Sequence, residues 1–342
     1  MKAKIIKTAC VYVGIIFGAG FASGQEHLSF FLPYGLWSLP GIFAASALIA
    51  LCGWAVMDIC VRRGISNYKD FMEAVFGKVL GGILDVVTGL FIFVIFSAML
   101  AGSGAMGSEV FGLPISFGAA AAAALAFAVL LFDLRGMVEV NTLISPILIA
   151  GSLIVGLLAI FGEARPAAAF GAGHAVFWPL SAVIYASYNM LTAAAVLSGM
   201  PALVNHRKIA KYGGLLGGGA LALIGVVLAA ALYVNPGVVR DAQLPMLALA
   251  ESQNVALGYF YAVLLFLAIF TTLVTGGFSL VQWLAARTGK PKMPLRLGIT
   301  LGGFAASHIG FSTIVARVYS FFGFLGLFIV VTIIIHFVAA GD

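Results

Sequence analysis

Solid apolar runs without a charged side chain recur at 28–57, 86–108, 110–132, 140–162, 175–205, 212–239 and 252–286. Most reach or exceed the roughly 20 residues that carry a helix across a bilayer. Divided at their polar punctuation, they predict ten spans near 5–33, 38–61, 80–107, 115–133, 138–161, 175–203, 210–234, 256–286, 294–310 and 318–338. A membrane barrel would alternate in segments of about ten residues instead, so the pattern predicts an all-α polytopic membrane protein.

Two polar stretches between the spans are short and amphipathic. In 66–78, SNYKDFMEAVFGK, the spacing of Tyr68, Phe71, Met72 and Val75 predicts a helix lying along the cytoplasmic interface. The segment 243–254, QLPMLALAESQN, is expected to cap the outer side. The loop FGEARPAAAFGAGH at 161–174 separates five spans from five of comparable length. An odd number of spans inverts the second half, so units 1–162 and 163–342 are expected to form a 5+5 inverted repeat. The first helix of each unit, helices 1 and 6, is expected to be discontinuous.

Composition and charge then fix orientation. Apolar residues make up 63% and charged residues 9% of the 342, against roughly 45–50% and about 25% in soluble domains. The mean hydropathy of +1.14 agrees. A net charge of +6 is therefore read as topology rather than as a nucleic-acid surface. With the N-terminus inside, every lysine and arginine except Arg165, Arg240 and Arg317 falls on the cytoplasmic side. This places both termini in the cytoplasm of a cell bounded by an inner, plasma membrane. The start of the chain imitates a signal peptide, with Lys2, Lys4 and Lys7 ahead of an apolar core, but is read as the retained first span. Cys10, Cys52 and Cys60 lack metal or redox spacing.

Three places concentrate candidate chemistry. GAGFASG, residues Gly18, Ala19, Gly20, Phe21, Ala22, Ser23 and Gly24, interrupts the first span. Each of its three glycines costs about 1 kcal/mol in a helix relative to alanine. Unwound backbone at membrane depth is tolerated only against protein or a wet cavity, and its freed N–H groups suit a carboxylate. Close helix packing through small residues is the other reading. The second place is Tyr185, Ser187, Tyr188 and Asn189, at the centre of the sixth span, where a polar group needs a neighbouring helix or a polar ligand. Tyr188 and Phe322 are candidate aromatic lids. Third, Thr271 and Thr272 lie mid-way along the eighth span. Their hydroxyls, with helix carbonyls freed by the break, suit a monovalent cation such as sodium or bond back to their own helix.

GAGFASGQE, the ten-span layout and the small size resemble the YkvI-like amino-acid permeases of the amino acid, polyamine and organocation superfamily, which share the 5+5 fold of the bacterial leucine transporter. The resemblance implies a sodium site formed by backbone carbonyls of Gly14 and Phe17 with Ala268, Thr271 and Thr272. It also implies a substrate carboxylate on residues 18–24 and a substrate amine on carbonyls and side chains of Tyr185 to Asn189.

One position departs from that pattern. Leucine-transporter-like proteins carry a basic gate residue just after the break, where this chain has Gly24-Gln25-Glu26. At about 1.5 Å per residue from the inner end of the span, Glu26 should stand roughly 30 Å up, at the outer edge of the hydrocarbon core. It is read as a solvated vestibule carboxylate, with a reversed gate to Arg317 as the alternative. Asp58 reads as an exposed i, i+4 pair with Arg62, while Asp85 and Glu139 are candidates for an inner gate with Lys4 or Lys7. The expected function is sodium-coupled uptake of a small amino acid or related zwitterion by alternating access. Proton coupling or uncoupled exchange is the alternative, and a channel or a membrane-embedded enzyme is less favoured. The expected partners are the substrate and the bilayer.

Overall fold

The computed structural model describes residues 1–131, 137–162, 170 and 175–339, with the side chains of 137–145 and 175 set aside. Regular structure among them is entirely helical. The helices are α1 (Lys2–Ile16), α2 (Ala19–Ala22), α3 (Gln25–Phe30), α4 (Ser38–Arg63), α5 (Tyr68–Phe111), α6 (Ile115–Leu130), α7 (Met137–Phe161) and α8 (Trp178–Ser198). They continue with α9 (Arg207–Tyr233), α10 (Pro236–Val239), α11 (Pro245–Gln253), α12 (Val255–Thr288), α13 (Lys292–Ser307), α14 (Phe311–Thr313) and α15 (Ser320–Ala339), the last two joined by a π-helical turn at Ile314–Tyr319. Among the described residues, six stretches are long and apolar enough to cross a membrane: Leu32–Arg63, Tyr68–Phe111, Trp178–Ser198, Arg207–Tyr233, Val255–Thr288 and Phe311–Ala339. Ile115–Leu130 and Pro146–Phe161 are apolar but shorter.

Small residues let the helices approach closely. α9 packs along both α1 and α4. A Cβ at Gly218 would lie 2.3 Å from that of Ala50, and one at Gly214 would lie 2.7 Å from the backbone nitrogen of Trp54. In a membrane, where lipid is as apolar as leucine, this backbone proximity supplies much of the packing energy. α15 lies on α8 in the same manner, and a Cβ at Gly326 would come within 2.6 Å of the Ser187 carbonyl.

The amphipathic stretch forms the first turns of α5. Asn67 caps it by accepting from the Asp70 N–H at 2.9 Å. Gly77, with φ 72° and ψ 171°, then turns the chain into the long span. Phe71, Met72 and Val75 are buried, and the hydroxyls of Tyr68 and Thr88 meet at 2.8 Å. This short helix therefore folds back on its own span.

The two expected interruptions differ. The first span is broken, as detailed below. The sixth is not: α8 runs unbroken from Trp178 to Ser198, so the expected discontinuity of helix 6 is corrected. The reason lies in the residues. Its only proline, Pro179, sits in the first turn, where no N–H is needed, and no glycine or proline follows before Gly199. Arg135, Arg165, His174, the side chain of Glu139 and most of the 161–174 loop lie outside the described residues.

Candidate functional site

The break opens at Phe17. Its φ of −74° and ψ of 64° form an inverse γ-turn, closed by the Gly18 N–H donating to the Ile16 carbonyl at 2.8 Å. Gly18 is extended, α2 makes a single turn, and Gly24 at φ 81° redirects the chain into α3. Only glycine adopts that left-handed conformation without strain. Residues 19–27 are all buried, so the bent segment is enclosed by protein rather than lipid.

A strict account of backbone groups separates two sides of the break. On the outer side the freed carbonyls are taken: Ser23 O accepts the Met246 N–H of α11 at 2.8 Å, Ala22 O accepts the Tyr261 hydroxyl, and Gly20 O accepts the Ser23 hydroxyl at 2.9 Å. On the inner side, the carbonyls of Gly14 and Phe17 receive no backbone N–H among the described residues, because the γ-turn diverts the Gly18 N–H to Ile16. Against this side stands α12. The Thr272 hydroxyl oxygen lies 3.8 Å from where a Gly18 Cβ would be. Thr271 instead donates back to Leu267 at 2.8 Å and Ala268 at 3.2 Å, keeping only its lone pairs for another partner. Of the five residues named for a cation, Thr272 thus stands beside the break at Gly18.

Glu26 is buried. It is 5% exposed, and its Oε1 lies 2.3 Å from the position of a Gly20 Cβ, so the carboxyl turns back onto the break. The solvated reading of Glu26 is corrected: protein rather than water surrounds the carboxyl, because α3 lays it against the break and α8. Oε2 accepts the Tyr185 hydroxyl of α8 at 3.0 Å. Arg317, on the π-helical turn, is exposed and makes no ion pair with Glu26, so the reversed gate is not formed. No described cation lies within ion-pair distance of this carboxyl.

The four candidate residues of α8 divide in the same way. Ser187 and Asn189 donate to the carbonyls of Val183 and Tyr185, each four residues back, at 2.7 and 3.0 Å. Their polar groups are spent within the helix. Tyr185 and Tyr188, one turn apart on the same face, point at the break. Their rings pack 5.3 Å apart, and Tyr188 packs against Phe30, Phe91 and Tyr319 at 5.4, 5.8 and 5.2 Å. The Tyr188 hydroxyl is buried, with the Glu26 carboxyl as its polar neighbour. Phe322 touches this cluster only through Phe91, at 5.0 Å. The residue pattern named this carboxyl for the vestibule or a gate, whereas the structure sets it against the break. The available signal was an acid two residues beyond a glycine break.

The inner ends are tied by charge. Asp58 is buried rather than exposed, paired with Arg62 at 2.6 Å and accepting from Arg207 Nε at 2.8 Å, which joins α4 to α9. Asp85 pairs with Arg287 and accepts the Trp283 indole N–H at 3.0 Å, joining α5 to α12 rather than gating with Lys4 or Lys7. Lys4 donates instead to the Ala202 carbonyl at 3.2 Å, beyond α8. Near there, Met57, Cys60, Leu197, Met200 and Val204 line a cavity of about 170 Å³.

No family model matches the chain. It is 29% identical over 328 residues to the membrane protein YkvI of Bacillus subtilis, covering 95% of this chain and 94% of that one. It is 25% identical over 331 residues to YyaD of the same organism, covering 97% and 96%. Among solved structures it is similar to the manganese transporter of Eremococcus coleocola (TM-score 0.64, 17% identity, 95% of this chain and 76% of that one). It is also similar to MhsT in complex with L-phenylalanine (0.65, 16%, 94% and 87%) and to the inward-facing conformation of Mhp1 (0.62, 12%, 94% and 73%). With a broken first helix, apolar spans throughout and likeness along nearly its whole length to these proteins, the chain is a multi-pass membrane protein similar to YkvI and has the fold that these solved structures share.

Proposed function

We propose that the protein is a secondary transporter that takes up a small solute of amino-acid type, a zwitterion in the first instance, by sodium-coupled alternating access. The observation that carries this reading is the break at Phe17–Gly18, where the Gly14 and Phe17 carbonyls accept no backbone N–H and the Thr272 hydroxyl stands beside Gly18. Hard, neutral oxygens in a dry setting suit a small monovalent cation. Sodium would bridge the first span to α12 through Gly14, Phe17, Ala268, Thr271 and Thr272, and the substrate would lie on residues 18–24 beside Tyr185 and Tyr188. Each ligand shifts the balance between outward-open and inward-open states only by its different affinity for the two.

The same reading arranges the chain as ten spans in two inverted units, 1–162 and 163–342, in the plasma membrane with both termini inside. Support comes from the 15 cytoplasmic positions among 18 basic residues that this topology produces. The likeness to MhsT, solved with L-phenylalanine, favours an amino-bearing substrate. A second reading, proton coupling, draws on Glu26: a buried carboxyl without a counter-ion holds a proton or meets a cation.

Uptake into proteoliposomes containing the purified protein separates the readings. Accumulation of labelled amino acid driven by a sodium gradient, and lost when choline replaces sodium, is the expected result. Accumulation driven by a pH gradient alone would replace sodium with the proton, and no accumulation or exchange of any solute would overturn the carrier reading.

A further inference from the structure

Resting on the reading of the break as the substrate site, and replacing the zwitterion of that reading, we infer that Glu26 and the aromatic rings near it form a seat for an organic ammonium group, so that the preferred ligand is an amine lacking a free carboxylate.

Four observations converge. The Glu26 carboxyl is 5% exposed and no described cation stands within ion-pair distance. A buried carboxylate is stable only when a positive charge or a proton meets it. Around it are the rings of Tyr185, Tyr188, Phe30, Phe91 and Tyr319, linked by centroid distances of 5.2 to 5.8 Å. Aromatic rings beside an anion are the established chemistry for holding an ammonium, whose charge is attracted to ring faces once water is removed.

The other two observations concern what a zwitterion would need. Its carboxylate would have to lie on the N–H groups around Gly20, but Oε1 of Glu26 already lies against that residue. Two anions so close repel, and more strongly where water is scarce. Its ammonium would need acceptors on α8, yet that helix is unbroken, so its backbone carbonyls serve the helix's own hydrogen bonds. Glu26 therefore supplies from the protein the carboxylate that an amino acid would bring with it, and the ammonium pairs with Glu26 rather than with α8 backbone.

The test uses the purified full-length protein and matched pairs: phenylalanine with phenethylamine, leucine with isoamylamine, and choline as a quaternary cation. Titration calorimetry and thermal shift in detergent read binding, and counterflow in proteoliposomes reads exchange. The expected result is that the amines bind at least tenfold more tightly than the matched amino acids. Glu26→Gln, nearly isosteric, should abolish that preference while melting within a few degrees of the wild type, and Glu26→Asp should restore part of it. Amino acids binding as tightly as amines, no amine binding at all, or an amine preference surviving in Glu26→Gln would each overturn the proposal. The wild-type comparison stands even if the variant misfolds. Amine binding without counterflow would retain the seat and overturn the carrier reading, whereas amino-acid counterflow without amine binding would do the reverse.

Discussion

The hydroxyl of Tyr185 donates to the Glu26 carboxyl across 3.0 Å, joining residues 159 positions apart on α8 and α3. It is the contact through which the bent first span and the straight sixth span share one polar centre. A hydrogen bond to a charged group contributes about 1.5–3 kcal/mol. Tyr185→Phe keeps the ring and removes only the donor. It should weaken ligand binding by roughly tenfold to a hundredfold with little change in melting temperature, as read by calorimetry and thermal shift on the same preparation.

Gly20 faces the same carboxyl. A methyl there would meet Glu26 Oε1, the far end of a flexible side chain, so the protein can fold by rotating Glu26 away. Gly20→Ala is expected to lower ligand affinity at least tenfold while the melting temperature moves little. Binding at wild-type strength in Gly20→Leu would remove the break from the site altogether.

On the inner side of the break, Thr272 and Thr271 should separate. Thr272→Ala should weaken sodium stimulation of uptake by tenfold or more while leaving the ranking of substrates intact. Unchanged sodium dependence would dismiss the proposed cation site. Thr271→Ala removes a hydroxyl already bonded to Leu267 and Ala268. Its smaller expected effect on sodium stimulation would show which hydroxyl supplies the free oxygen.

The α9 glycines make a prediction about stability alone. At Gly218 an added side chain would run into the Cα and Cβ of Ala50, neither of which can rotate aside. Overpacking of this kind costs about 1–3 kcal/mol. Gly218→Val should therefore lower the melting temperature by several degrees, whereas Gly219→Val, which meets nothing within 4 Å, should not.

At the inner end, Asp58→Asn removes the charge that holds Arg62 and Arg207. Loss of charged hydrogen bonds is expected to cost about 1.5–3 kcal/mol. Thermal shift at low and high salt checks it: the variant should melt lower, and the difference should narrow as salt screens the exposed Arg207 end of the pair.

What the chain discloses before folding depends on whether the signal is periodic or relational. The apolar runs and the glycines at 18, 20 and 24 are visible because each carries a local cost that only a membrane or a bend offsets. The polar residues of α8 mislead for the opposite reason. Ser187 and Asn189 look the same in sequence whether they serve a ligand or their own helix, and only the missing glycine or proline told that the backbone stays intact. Glu26 was misread as solvated because what covers its carboxyl, Gly20 across the bend and Tyr185 159 positions away, is set only by folding. The buried state of Asp58 was hidden too, since its second partner, Arg207, lies 149 positions away.

The bond between the Met246 N–H and the Ser23 carbonyl ties the outer cap to the bend, and the Met246 side chain lies against Gly24. Under the proposed transport cycle, opening the site beside Glu26 on that side would part this pairing, so that admitting cargo and unfastening the cap would be a single event.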